Sequence, residues 1–138
     1  MSLKTTVRVR FSETDALGHV NNVSYFIYME QARVDFLKSL GFDFTNQDRF
    51  VALVSAKCDY ISQAYFDQEI EIETYVDKVG GKSFTLNQDL HDKKTKKLIA
   101  KGQAVCVFLS QDKAQSLAID LEWRTRLLSF TKEELSTF

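Results

Sequence analysis

Polar and apolar positions alternate from Thr5 to Ser12, with Val7, Val9 and Phe11 set against Arg8, Arg10 and Ser12. The pattern predicts a strand buried on one face. The period then lengthens. From about Asn22 to Leu40 apolar residues recur at helical spacing, and Gly41 supplies a stop in the position that favours left-handed backbone. Four more strands follow. The first runs from Phe50 to about Ile61, and the second, Glu69 to Val79, alternates Ile70, Ile72, Thr74 and Val76 against Glu69, Glu71, Glu73 and Tyr75. Gly80-Gly81 predicts a hairpin turn into Ser83 to His91, where Phe84, Leu86 and Leu90 form the apolar face. Beyond a charged turn from Asp92 to Lys97, Leu98 to Ser110 is the last long strand. Its small residues Ala100, Gly102, Ala104 and Cys106 share one face, which lets a helix approach the sheet closely. Asp120 to about Phe130 reads as a second helix, and Thr131 with Glu134 as a capping box for a last turn. A strand, a long helix and four strands on short turns imply antiparallel pairing, hence an α+β fold.

Within the long helix, Ser24, Gln31, Asp35 and Lys38 fall on one narrow stripe. Val23, Phe26, Ile27, Met29, Val34, Phe36, Leu37 and Leu40 occupy most of the remaining surface, which predicts a helix enclosed on most sides. Glu30 and Arg33 project from that apolar side. Buried charges there demand partners, either each other at i,i+3 or polar groups of a lined site.

Composition narrows the function more than the fold. The 138 residues form a single domain spanning positions 1–138, with 44% hydrophobic and 27% charged residues. A net charge of −1 offers no field for nucleic acid or an anionic membrane. The longest purely apolar run, Ala104 to Leu109, is far too short to span a bilayer, and the N-terminus lacks the apolar core of a signal peptide. Cys58 and Cys106 sit in strand-like runs without a CxxC partner, as small buried thiols in a reducing cytoplasm would. Two histidines and two cysteines lie scattered without ligand spacing, so no metal site is expected.

The chemistry concentrates in "FSETDALGHVNN", residues 11–22, at the entry to the long helix. Asn21 or Asn22 can cap that helix, leaving N–H groups near Asn22 and Val23 pointing outward with partial positive charge. Such donors polarise a carbonyl whose oxygen gains charge in the transition state. Gly18 permits a tight turn, which would let Asp15 face the same space and either attack the carbonyl or activate water. The combination suits acyl-group hydrolysis. By residue pattern alone, a lone Asp near an Asn cap is most often turn chemistry.

"ETDALGHVNNVSYFIYMEQAR", Glu13 to Arg33, resembles the signature of hotdog-fold acyl-CoA thioesterases of the 4-hydroxybenzoyl-CoA thioesterase-like group. The resemblance continues through Asp59 to Leu86 and Ala100 to Ser110. It implies a hotdog fold, a long central helix wrapped by a curved antiparallel sheet of about five strands. It further implies protomers paired edge to edge across a two-fold axis, at least a homodimer and often a homotetramer, with active sites at the interface. Residue by residue, it makes Asp15 the catalytic nucleophile or general base and the backbone N–H at about Asn22 the carbonyl-polarising donor. Val23 lies in the same donor turn. His19 and Tyr25 fall on motif positions near the acyl pocket, His19 either holding the turn by a hydrogen bond or moving a proton. Lys82 and Ser83, after the Gly80-Gly81 turn, are candidates for contact with CoA. Lys93, Lys94, Lys96 and Lys97 are either a solvated hairpin tip or a phosphate site. The implied reaction is hydrolysis of an acyl-CoA to a carboxylic acid and CoA, in the cytoplasm and without a cofactor. Hydrolysis of acyl carrier protein thioesters and non-catalytic acyl-CoA binding are the alternatives.

Overall fold

In the computed structural model, which describes residues 1–46, 48–112 and 115–132, one antiparallel sheet carries a long helix across one face. The elements in chain order are β1 (Leu3–Arg8), α1 (Asn22–Ser39), β2 (Arg49–Tyr60), β3 (Glu69–Val79), β4 (Ser83–Asp92), β5 (Leu98–Ser110) and α2 (Leu121–Leu128). The sheet runs β1-β3-β4-β5-β2, with every pairing antiparallel. β1 and β2 are therefore its two edges. In β2 the pairing with β5 shifts between Leu53 and Ser55, a bulge centred on Val54.

The expected α+β architecture is present, and the punctuation residues set its boundaries. Asn21 is the N-cap of α1, its side chain accepting from Ser24 N at 3.0 Å, and Gly41 ends the helix at φ +99°. Asp120 caps α2 in the same way, Oδ1 accepting from Trp123 N at 2.8 Å. The small face of β5 does receive the helix: a Cβ on Gly102 would collide with Sδ of Met29, a core residue of α1. Tyr25, Met29 and Ala32 pack with Ile70, Ile72 and Leu90 at one end of α1. Phe36 and Leu37 pack with Phe84, Phe108, Trp123 and Leu127 at the other. Cys58 is half-buried and Cys106 buried, both free thiols whose pKa burial pushes up to about 11. Among the described residues no helix is long and apolar enough to cross a membrane.

Three expectations are corrected. The first strand does not reach Ser12: β1 stops at Arg8, and Phe11–Glu13 forms a 3₁₀ turn that leaves Phe11 77% exposed. The cause is Glu13, which folds back so that Oε1 accepts from Arg10 N at 2.7 Å and from the Tyr28 hydroxyl at 2.9 Å. Nor is α1 enclosed on most sides. Its exposed strip holds Val23, Ile27, Glu30, Gln31 and Lys38, with Val23 70% and Ile27 49% exposed. Ser24 leaves the polar stripe for the interior, where its hydroxyl donates to Glu13 O and Asn21 Oδ1. Third, Glu30 and Arg33 form no ion pair among the described residues. Glu30 is exposed, while Arg33 is buried and its guanidinium is drawn down by that burial, against the opposing pull of Cys106 and Glu30. The capping box expected at Thr131 and Glu134 lies partly outside the described residues; Thr131 itself bridges to Val76 beside β3.

Candidate active site at the start of the long helix

The segment before α1 doubles back on itself. Asp15 N donates to His19 O at 2.8 Å and Gly18 N to Asp15 O at 3.1 Å, with Gly18 at φ +77° making the turn possible. A bridge joins Thr14 to Val20, and Asn21 N donates to Glu13 O at 2.9 Å. The loop is then tied to the chain beyond β2, through Val20 N to Ala64 O at 2.8 Å and Phe66 N to Gly18 O at 3.1 Å. Underneath sits Glu13, 5% exposed, gripped by Arg10 and Tyr28. Burial alone would raise the Glu13 carboxyl, but the hydrogen bonds from Arg10 and Tyr28 outweigh it and hold the group below its ordinary range. Tyr28 is raised in turn, by burial and by the Glu13 carboxylate. Glu13 is a further residue of the site, outside the helical and strand patterns of the sequence. Its signals were an Arg three residues upstream and a Tyr on the helix face that meets it.

Asp15 lies on this framework, exposed, and its two oxygens differ. Oδ1 accepts from Leu17 N at 2.9 Å and His19 N at 3.1 Å, the turn chemistry expected of an Asp here. Oδ2 accepts no hydrogen bond from the described residues. His19 meets Asp15 through its backbone, while its ring stands edge-on to Tyr65 at 5.1 Å. At the helix start, the Asn21 cap takes Ser24 N, and the N–H groups of Asn22 and Val23 have no acceptor among the described residues. His19, whose carbonyl accepts from Asp15 N, stands three residues before Asn22, so the doubling-back turns Asp15 toward the helix start.

Asn22 and Tyr25 share a cleft of about 190 Å³ with Tyr60, Ile61, Ser62 and Gln63. Tyr25 is a wall of that cleft rather than a projecting group: it is 2% exposed and packs edge-on against Tyr60 at 5.1 Å. Its hydroxyl is raised by burial, tempered by the Ala64 backbone. Tyr60 was not anticipated. It donates its hydroxyl to Asn22 O at 2.9 Å, tying the edge strand to the first turn of the helix. Asp15, His19, Asn22, Val23 and Tyr25 thus gather at one end of the molecule.

Lys82 and Ser83 do not join them within one chain. They sit on the hairpin after Val79, where Gly80 N donates to Ser83 O at 2.7 Å. The Asp15 loop lies at the opposite end of β3, because Val9 N reaches Gln68 O beside Glu69. The 11 residues of β3 separate the two ends, a span of roughly 33 Å. The lysine hairpin lies at the Asp15 end instead, with Lys93 and Lys96 held by Glu69 and Glu71 at 3.9 and 3.6 Å.

The sequence and the fold each have relatives. The profile of the Thioesterase-like superfamily matches residues 9–130. YsmA of Bacillus subtilis, an uncharacterized protein, is 41% identical over 81 residues, 59% of this chain and 55% of the relative. The chain spans 55% and 65% of the length of the first two curated relatives it matches. FadM of Escherichia coli, a long-chain acyl-CoA thioesterase, is 28% identical over 134 residues, covering 94% of this chain and all of the relative. The crystal structure of PA5185 from Pseudomonas aeruginosa superposes with a TM-score of 0.88 at 27% identity, covering 96% of this chain and 94% of that one. Five antiparallel strands and a long helix, shared with thioesterase structures, make this the hotdog fold. The chain belongs to the Thioesterase-like superfamily.

Proposed function

We propose that the protein hydrolyses acyl-CoA thioesters, with Asp15 as general base or nucleophile and the first N–H groups of α1 as the oxyanion donors. The observation that carries the reading is the pair of uncommitted groups on one short, rigidly tied segment: Oδ2 of Asp15 and the N–H groups of Asn22 and Val23. With the thioester carbonyl on those donors, Asp15 takes a proton from water as the water oxygen bonds to the acyl carbon. The C=O electrons move onto oxygen, and the donors stabilise that charge. Collapse of the intermediate breaks the C–S bond, the CoA thiolate leaves, and a proton completes the thiol. Acting as nucleophile, Asp15 would form the acyl anhydride first and water would cleave it. The acyl-CoA class is supported by superfamily membership and by the full-length similarity to FadM.

The reading includes a homodimer formed through β2. That edge is 12 residues long and unpaired on its outer side, and Val54 on it is 62% exposed. Further pairing into a tetramer and a cytoplasmic location belong to the same proposal. The free thiols of Cys58 and Cys106 suit a reducing compartment.

Asp15→Asn, assayed beside wild type on short, long and aromatic acyl-CoAs, should lower kcat by about 10²- to 10⁴-fold while the melting temperature holds. Near wild-type turnover across that panel would remove Asp15 from the chemistry. Ligand binding without hydrolysis in the wild type would replace the enzyme with a binding module.

A further inference from the structure

Tyr60 closes the edge strand, and the chain around it is fixed. Its backbone pairs with Ala100, while Ile61 N and Ser62 N both donate to Ile99 O at 2.9 Å. Its ring stands edge-on to the buried Tyr25 at 5.1 Å, and its hydroxyl donates to Asn22 O at 2.9 Å. Burial raises that hydroxyl, with Cys58 adding to the effect, so the group stays a proton donor at neutral pH. The choice of acceptor matters, because a peptide unit joins the carbonyl of one residue and the N–H of the next in one plane. Asn22 O therefore shares its plane with Val23 N–H, one of the two donors left without an acceptor among the described residues.

We propose that Tyr60 is a positioning residue for the oxyanion: its hydroxyl fixes and polarises the Asn22–Val23 peptide, so that Val23 N–H is a stronger donor to the thioester carbonyl. Resting on the helix-start reading above, this adds a residue that never touches substrate. Two physical effects run together. A proton donated to the carbonyl oxygen draws electron density from the peptide nitrogen and leaves its N–H more positive. Hydrogen bonds chained in this way strengthen one another by about 10–30%. The same bond keeps the peptide plane from rocking, so the N–H holds its direction as the thioester carbonyl becomes an oxyanion. The turn needs that restraint, since Asn22 and Val23 are both exposed and the first N–H groups of a helix have no intrahelical bond. One oxyanion donor is worth about 10²- to 10³-fold in kcat. Strengthening on the scale just given therefore amounts to about 2- to 8-fold.

Kinetics and infrared spectroscopy on the full-length protein test it. Tyr60→Phe keeps the ring and removes only the hydroxyl; kcat should fall about 2- to 8-fold with KM unchanged. The spectroscopic probe is a CoA ketone in which CH₂ replaces the thioester sulfur, with a carbon-13 label at the carbonyl. Its stretch should lie lower bound than free, and Tyr60→Phe should move it part of the way back. Replacing Tyr60 with 3-fluorotyrosine, below the pKa of the substituted phenol, supplies a stronger donor, which should lower the stretch further and raise kcat. A merely structural tie would treat 3-fluorotyrosine as tyrosine, and that result would overturn the proposal, as would unchanged kcat and stretch in Tyr60→Phe. A raised KM with wild-type kcat would place the hydroxyl on substrate and reject the positioning role. Absence of any bound-state shift in the wild type would remove the helix donors, and Tyr60 with them. Failure of the Asp15 reading shows separately, as activity in Asp15→Asn, and leaves the ketone spectrum standing.

Discussion

Glu13, more than Asp15, is the residue on which the site depends for its shape. Its carboxylate holds Arg10 and Tyr28, and its carbonyl oxygen accepts from Asn21 N and from the Ser24 hydroxyl, so the loop and the helix start share one anchor. Glu13→Gln should lower stability by about 1–3 kcal/mol in urea titrations at neutral pH, because a charged hydrogen-bond acceptor is lost from a buried position. Because the folded pKa of Glu13 is depressed, its stabilisation is present above the unfolded carboxylate pKa and is lost as pH falls through the folded value. The wild-type advantage over Glu13→Gln should therefore shrink on acidification below about pH 4.5, the unfolded range for Glu. A gap that stays constant down to strong acid would show that the charge of Glu13 contributes nothing. Residue chemistry was only partly legible in the sequence. Asp15 and the helix start stood out through family spacing, whereas Glu13 looked like one more strand-end acid, its partner Tyr28 lying fifteen residues away.

Among the elements, α1 was readable because both its ends carry explicit signals, Asn21 and Gly41, and β3, β4 and β5 because their alternation is unbroken. The extent of exposure on α1 was not readable. Apolar residues such as Val23 and Ile27 look the same in sequence whether they meet a sheet, a partner or water. The cap itself is testable at this scale. Asn21→Ala should cost about 1 kcal/mol of stability and also reduce kcat, because fraying of the first turn disperses the N–H groups that Asn22 and Val23 present. Loss of stability with undiminished kcat would separate the cap from the oxyanion donors. Gly102→Ala probes the other side of the helix: a methyl against Met29 should destabilise by about 1–3 kcal/mol in thermal or urea melts, with the fold intact.

At the scale of the whole molecule, the decisive feature is the unpaired β2 edge. In the homodimer proposed above, Val54→Glu should shift the sedimentation profile toward monomer and reduce turnover, since like charges would then meet near the two-fold axis. A dimer of unchanged stability would place the interface elsewhere. The separation of Lys82 and Ser83 from Asp15 belongs to this scale as well: sequence spacing does not reveal that the length of β3 lies between them.

The bulge at Val54 has a consequence of parity. Side chains alternate along a strand, so positions eleven apart, such as Arg49 and Tyr60, would normally project from opposite faces of the sheet. The extra residue between Leu53 and Ser55 reverses the count. Leu53 and Ala56 consequently stand opposite Cys106 and Ala104, both members of the small-residue face under α1, and Arg49 and Tyr60 come out on that same side. One inserted residue therefore decides which face of the sheet half a strand presents. Deleting Val54 would leave Arg49 and Tyr60 ten regular steps apart and so on one face, whereas straightening the bulge with Val54 in place would turn Arg49, Val51 and Leu53 to the far side of the sheet.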